Sequence, residues 1–533
     1  MRARYSRALA FAAALIAVAA IGTAGATGKP TPAPSYKLAN VGAYGGEPTI
    51  ASNSKGELYD TTPSGGTLLY KSTNHGSTWT QATTADPSSG DDCVFTDQSN
   101  AVYECNLAGS PETAPLQADV WKSLDDGKTW MYGDNAVDIV LGGNVCGTSC
   151  SPFGVDRQWG AAYIPPGETT KAATVILAYH DFYGPSQIWV NVSHNGGSTF
   201  GDPTDVMANF TTNGASQAAV ALADSACNTV PTGAAIAQSG LHAGRIYVAW
   251  IASDPESGPT GCNVTMAQAF HNLFVAWSDD GGKTWTPQLA YDAGVGHDAS
   301  TPFAGFTLDD QGNPYVAFTT SGPTANPAVC GAESAAGAVQ ADPTCAYHMW
   351  VAWSSDGGTT WDGGGGLIPG SAAAAFEVDP SSAPQTDVFP TIAAGDPGKV
   401  DVSWLQTNEI EPTDALGKFL PGGCAGPGNG NPDLYPPVCN WNLYAGQSLD
   451  LTATPRNEVW ATGAITTTPM HVGDICNLGI FCVDPNSNRN LLDFNSETVD
   501  PTTGFAHIAY ADDNTVNKLR VANQVSGPKI IGR

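Results

Sequence analysis

The chain has 533 residues, with 21 Lys and Arg against 50 Asp and Glu, a formal charge of −29. Such acidity excludes general electrostatic attraction to a nucleic-acid backbone or an anionic membrane. Charged residues are 13% and hydrophobic ones 42%, which excludes a disordered acidic chain, and 61 Gly with 38 Pro favour many short strands joined by turns over long helices.

The N-terminus reads as an export signal. Arg2, Arg4 and Arg7 precede an apolar run from Ala8 to Ile21, too short to span a bilayer comfortably, and Ala24-Gly25-Ala26 has a small-residue cleavage pattern. A membrane anchor is the alternative, disfavoured by the Pro-rich linker over 27–37 that follows. Without residues 1–26 the balance becomes 18 basic to 50 acidic side chains, or −32. No later stretch is apolar enough to cross a membrane, so residues 38–533 are expected to form one secreted domain. All twelve cysteines lie beyond the signal, which suggests six disulfides. Their spacing suggests Cys93–Cys105, Cys146–Cys150, Cys330–Cys345, Cys424–Cys439 and Cys476–Cys482, leaving Cys227 and Cys262. No Cys-x-x-Cys pair occurs, so a zinc or thioredoxin-type site is not expected.

At the end of the linker, Tyr36-Lys-Leu-Ala39 is a short run able to close a sheet with a distant strand. Seven strand starts follow: Glu47 to Ala51, Asp92 to Phe95, Asp156 to Trp159, Gln217 to Val220, Thr301 to Ala304, Asp387 to Pro390 and Leu492 to Phe494. Most lead through a turn to a second strand, such as Val175 to Ala178 or Arg245 to Ala249. Between them one turn pattern recurs five times, at Ser72 to Trp79, Ser123 to Trp130, Ser193 to Phe200, Ser278 to Trp285 and Ser354 to Trp361, the fourth read with one extra residue. Its Asp or Asn accepts hydrogen bonds from turn N–H groups, its Gly supplies a positive φ, and its aromatic residue folds back on the strands.

This pattern resembles the Asp-box, or BNR repeat, of the sialidase-like β-propellers, over nearly all of the mature chain. The resemblance implies an all-β, seven-bladed β-propeller of four-stranded blades with Asp-box turns, or six blades if one unit is an insertion. It gives the box residues a structural part. Asp boxes also occur in xyloglucan hydrolases, sortilin-type receptors and photosystem assembly factors, so the turn alone names no activity.

In that topology the strands of a blade run a to d from the axis outward. Asp-box turns join c to d on one face. The other face, the mouth, carries the starts of a strands and the ends of b strands. It should therefore gather Glu47, Asp156, Arg157, Asp387 and Asp493, with Arg489 just before the last. The b-strand ends add His180-Asp181, Asp254, Asn408-Glu409 and Asp512-Asp513. Four of the expected disulfides fall in loops of this face, whereas Cys227, in an a–b loop, would have to cross the blade to reach Cys262.

Sialidases hold a substrate carboxylate with three Arg, the first in a Phe/Tyr-Arg-Ile-Pro motif opening the first blade. Here that place reads Gly46-Glu47-Pro48-Thr49-Ile50, and only Arg157 and Arg489 of the six Arg beyond the signal map to the mouth. A true exo-sialidase is therefore disfavoured. A glycoside hydrolase for neutral glycans needs one protonated and one ionised carboxyl across the scissile bond. Glu47, Asp156, Asp181, Asp387 and Asp493 are the candidates, with Arg157, Trp159, His180 and Arg489 as substrate-binding residues. Each Asp can equally cap a turn or pair with Arg, and the alternative is a non-catalytic glycan- or protein-binding scaffold of the cell envelope. The expected partner is an extracellular carbohydrate or glycoconjugate. No cofactor is required. Structural calcium between acidic loops is a further reading, since His180-Asp181, His471 with Asp474 and His297-Asp298 offer ligands without diagnostic spacing. No nucleophile elbow, phosphate loop or dinucleotide fingerprint occurs. Asn191, Asn209 and Asn263 match glycosylation acceptors, the first on a strand that argues against use.

Overall fold

Middle strands such as Ile246–Ser253 read as unbroken apolar runs (IYVAWIAS), a pattern that buries both faces of a sheet between neighbours. The computed structural model bears this out. It describes residues 33–108, 117–132, 155–181, 188–207, 229–253, 270–293, 299, 303–320, 347–361, 376–379, 385–408, 424, 439–452, 459–473, 475, 488–514 and 518–532. Among them there is no α-helix, and the strands form seven separate sheets.

Strand β1 (Ser35–Asn40) precedes blade 1 in the chain but belongs to the last sheet. Blade 1 is β2 (Thr49–Ser52), β3 (Leu58–Pro63), β4 (Thr67–Ser72) and β5 (Thr80–Gln81). Blade 2 is β6 (Asp92–Thr96), β7 (Val102–Ala108), β8 (Gln117–Ser123) and β9 (Met131–Tyr132). Blade 3 is β10 (Val155–Tyr163), β11 (Thr174–Asp181), β12 (Ile188–Ser193) and β13 (Thr204–Asp205). Blade 4 is β14 (Val230–Ile236), β15 (Ile246–Ser253), β16 (Phe270–Ser278) and β17 (Thr286–Asp292). Blade 5 is β18 (Gly305–Leu308), β19 (Pro314–Thr320), β20 (His348–Trp353) and β21 (Phe376–Glu377). Blade 6 is β22 (Thr386–Ala394), β23 (Val400–Thr407), β24 (Asn440–Ser448) and β25 (Ala461–Ala464), with β26 (His471–Val472) also on β24. Blade 7 is β27 (Ser496–Asp500), β28 (Phe505–Ala511) and β29 (Leu519–Ser526), and β1 pairs with β29 as its outer strand.

Each inner strand contacts the next, and β27 contacts β2, so the seven blades close into a ring. The inner strands approach so closely that a Cβ on Gly305 would lie 2.9 Å from the Thr391 Cα. The apolar core is divided among the seams between blades. Between blades 4 and 5 it includes Tyr247, Trp277, Tyr291 and Phe318; between blades 1 and 2 it shrinks to Tyr59, Leu69, Val94 and Val102.

All five repeated turns lie between third and fourth strands. In each, the Ser hydroxyl bonds the Asp or Asn and accepts from the N–H four residues on, as in Ser123 with Asp125 (2.9 Å) and Gly127 (2.9 Å). Asp280 accepts from Thr284 N at 2.9 Å and Thr284 Oγ1 at 2.7 Å, with the same spacing as the other copies, so no extra residue is present there. Blade 7 has no such turn because its outer strand comes from the other end of the chain.

Three strand starts differ from expectation. The inner strand of blade 4 is Val230–Ile236; residues 217–220 lie outside the described residues. Its sequence VPTGAAI carries Pro and Gly, which hide a strand from propensity reasoning. The inner strands of blades 5 and 7 begin at Gly305 and Ser496, later than read, because residues such as Leu492 (φ 60°) belong to the turn leading in. With β14 so placed, Cys227 precedes it. Cys227 and Cys262, and the expected pairs Cys146–Cys150, Cys330–Cys345 and Cys476–Cys482, lie outside the described residues. The disulfides Cys93–Cys105 and Cys424–Cys439 are formed. The former links directly paired residues of β6 and β7.

Candidate functional site

Four blades begin with a non-glycine residue in the left-handed region: Glu47 (φ 47°), Arg157 (φ 47°), Phe389 (φ 57°) and Leu492 (φ 60°). In β10 and β22 this residue sits in a bulge, with the register slipping between Asp156 and Trp159 and between Val388 and Thr391. Bulges re-aim side chains, and such backbone is retained where the surroundings hold it.

Two of these positions meet at the mouth. Arg157 Nη1 donates to Glu47 Oε2 at 3.3 Å and lies 3.7 Å from Asp91 Oδ2, with Arg157 and Glu47 both 4% exposed. Arg489 reaches Glu47 Oε1 at 3.5 Å and clamps Asp493 through two nitrogens, Nε to Oδ1 at 2.9 Å and Nη2 to Oδ2. Burial, and then the charges of Asp493 and Asp91, push the Glu47 carboxyl well above the usual range against the pull of both Arg. Asp156 accepts from the Arg157 backbone N–H at 2.7 Å. Burial and the adjoining Asp91 carboxyl push Asp156 up to about 7.

The Arg157 guanidinium lies over aromatic rings, 4.3 Å from the Phe494 centroid and 4.8 Å from that of Trp159. Its Nε is buried without an acceptor. Trp159, Phe303 and Phe494 continue into a cavity of about 110 Å³ between the inner strands, which Asn495 and Glu497 also line.

The sequence candidates thus divide. Glu47, Asp156, Arg157, Trp159, Arg489 and Asp493 converge on one mouth. Asp387 is fully buried elsewhere, accepting from Met349 N at 3.0 Å in the seam between blades 5 and 6, with Asp379 and Glu377 as its charged neighbours. His180 is buried, bonds the Thr229 carbonyl, and is pushed down to about 4 by burial. Asp181 ends β11 opposite Val155. Its side chain, Asp254, Glu409, Asp474 and His297-Asp298 lie outside the described residues. His471 pairs with Asp513 at 2.8 Å. Among the described residues no group of three or more His, Cys, Asp and Glu is placed to hold a metal ion. Asn191 is buried and bonds Tyr179 and Gly201, so it is closed to glycosylation.

Sequence reasoning missed Asp91, one residue before a strand start, and Phe303 and Phe494, read as strand rather than mouth. It also missed the Asp401–Glu497 pair between blades 6 and 7, where Tyr36 donates to both Asp401 oxygens at 2.8 and 2.9 Å. Asp401 is pushed up to about 6 by burial.

Seven four-stranded blades around one axis, five of them carrying the same hydrogen-bonded turn, make the fold a seven-bladed β-propeller. No protein-family profile and no curated protein matches the chain. Among solved structures it is similar to the Penicillium chrysogenum alpha-L-arabinanase complexed with arabinobiose, with 12% identity over 70% of this chain and 94% of that one, and a TM-score of 0.37. It is similar to the NanB sialidase of Streptococcus pneumoniae (13% identity, 93% and 70% coverage, TM-score 0.36) and to the Trypanosoma rangeli sialidase (11%, 93% and 60%, 0.39). At these values the likeness adds nothing to what the seven sheets already show.

Proposed function

We propose that the mouth binds an extracellular glycan and cleaves it as a glycoside hydrolase, with Asp156 as proton donor. The observation that carries this reading is the difference in partners between two carboxyls of the mouth. Asp156 keeps its proton to about neutrality beside Asp91, while Asp493 is held in an ion pair by Arg489. Glycoside cleavage uses such a division between acid and carboxylate. Asp493 is the opposing carboxylate, and Trp159 and Phe494 supply apolar surface on which a sugar ring can stack. Export, expected from the basic and apolar N-terminal run, would place the protein where such substrates occur.

A broad glycan hydrolysis screen tests this. Asp156→Asn and Asp493→Asn are expected to lower kcat/KM by roughly 100-fold or more on whichever substrate is cleaved, and the sealed Asp387, changed to Asn, to leave it unchanged. A second reading, a non-catalytic glycan-binding scaffold, draws on the ion pairs that engage Glu47 and Asp493 with both mouth Arg. Absence of turnover on every substrate with glycan-array binding retained would decide for that reading.

A further inference from the structure

The seam between blades 1 and 2 is unlike the others. Its apolar cluster is Tyr59, Leu69, Val94 and Val102, and the space that apolar side chains fill elsewhere is occupied here by acids. The ladders of blade 2 explain the placement. Asp92 pairs with Asn106 and Asn106 with Asp119, so the three stand in one row across β6, β7 and β8. Glu104, two residues along β7, points to the same face. Asp60 of β3 comes from the opposite blade.

Asp60, Asp92 and Glu104 are fully buried and Asp119 is 5% exposed. Both oxygens of Asp60, both of Asp92, Glu104 Oε1 and Asp119 Oδ1 lack a hydrogen-bond partner, while Glu104 Oε2 accepts from Ala85 N at 2.8 Å and Thr84 Oγ1 at 3.2 Å. The hydroxyls nearest Asp92 are engaged elsewhere, Thr61 with Thr49 and Thr67 with Ser89 and Asn106. Asn106 Nδ2 and Trp121 Nε1, near Asp119, are themselves without a well-aligned acceptor. The charged groups facing this set are Asp91, Asp86 and, from β10, Arg157, whose ion pairs go to Glu47 and Asp91. Tyr70 faces Asp60. Four buried carboxylates with so little compensation cannot all be ionised.

We propose that this seam is a proton-locked joint: it is closed while Asp60, Asp92, Glu104 and Asp119 carry protons and loosens as they lose them, so that the protein is built to work in mildly acidic surroundings. Burial pushes Asp119 up to about 6, Asp92 to about 7 and Glu104 to about 8, and Asp60 well above the ordinary range. The folded state therefore binds protons that the unfolded chain has released above about pH 4. Stability contributed by the protonated seam is complete at acid pH and falls as pH rises towards 8.

Thermal melting and hydrogen exchange of the whole mature protein between pH 6 and 8 test the joint. The melting temperature is expected to fall by roughly 5 °C or more over this range. Exchange in β3 and β6–β8 should rise more steeply than in blade 4, beyond the intrinsic pH effect. The double variant Asp60→Asn, Glu104→Gln should flatten both responses, and each single variant gives a partial effect if the double one folds poorly. A melting temperature that is level or rising, exchange that increases equally in all blades, or variants as pH-sensitive as the parent would overturn the proposal. So would added calcium restoring stability at pH 8 and chelation removing it, because the joint would then be closed by a cation. None of these readouts depends on glycan turnover.

Discussion

Arg157 is the residue on which the mouth depends. It joins Glu47 and Asp91 across two blades and sits on Phe494 and Trp159. Replacing it by Met keeps much of the packing volume but leaves buried Glu47 with only Arg489. Arg157→Met is expected to cost about 3–5 kcal/mol in denaturant unfolding, the usual effect of breaking a buried pair from one side. Buried His180 acts in the opposite sense to the acids. Its folded pKa, down at about 4, lies below the unfolded value of about 6.5. The stability it contributes is present above that unfolded value and is lost as pH falls towards 4. His180→Gln should therefore reduce the loss of stability between pH 6.5 and 4, measured by denaturant titration at fixed pH.

Among the elements, the repeated turn was the most legible. Two consecutive left-handed residues, as at Asp126-Gly127, need a glycine, and an Asp or Asn two residues after the Ser collects the turn's N–H groups. These are contacts within eight residues, so the pattern survives in any tertiary setting. Asp280→Ala removes the acceptor for Lys283 N, Thr284 N and Thr284 Oγ1. It should destabilise by about 1–3 kcal/mol without altering binding at the mouth. Strand starts were less legible. The inner strand of blade 4, Val230–Ile236, carries a Pro and a Gly that weaken its local signal, and Gly233 is required there by packing, since a Cβ would lie 2.8 Å from Phe306 Cβ.

The whole molecule is closed by its own N-terminal strand, with Tyr36 reaching from blade 7 to Asp401 of blade 6. Removing residues 27–40 would expose the edge of β29 and open the ring. A melting temperature lowered by roughly 10 °C or more is expected, whereas Tyr36→Phe should cost only about 1–2 kcal/mol by leaving Asp401 without its hydroxyl donor. The chain's acidity also reads differently at this scale. Part of it lies in solvated turns, where hydrogen bonding holds Asp125 down at about 2. Another part is buried between blades, where carboxyls hold protons.

From sequence alone came the all-β class, the blade count, the closing strand, the five turns, two disulfides and the idea of an acidic mouth. The class, the blade count and the turns rest on short-range patterns repeated along the chain, and repetition turns a weak local signal into a strong one; the disulfides rest on cysteine spacing. Tertiary structure decided which acids share a site. Asp156 and Asp387 occupy similar positions at strand starts, but one faces the mouth beside Asp91 and the other is sealed against Met349. The environment of a carboxyl is set by groups from other blades, as far away in sequence as Glu47 is from Arg489. Its charge follows from that environment, which no local pattern records.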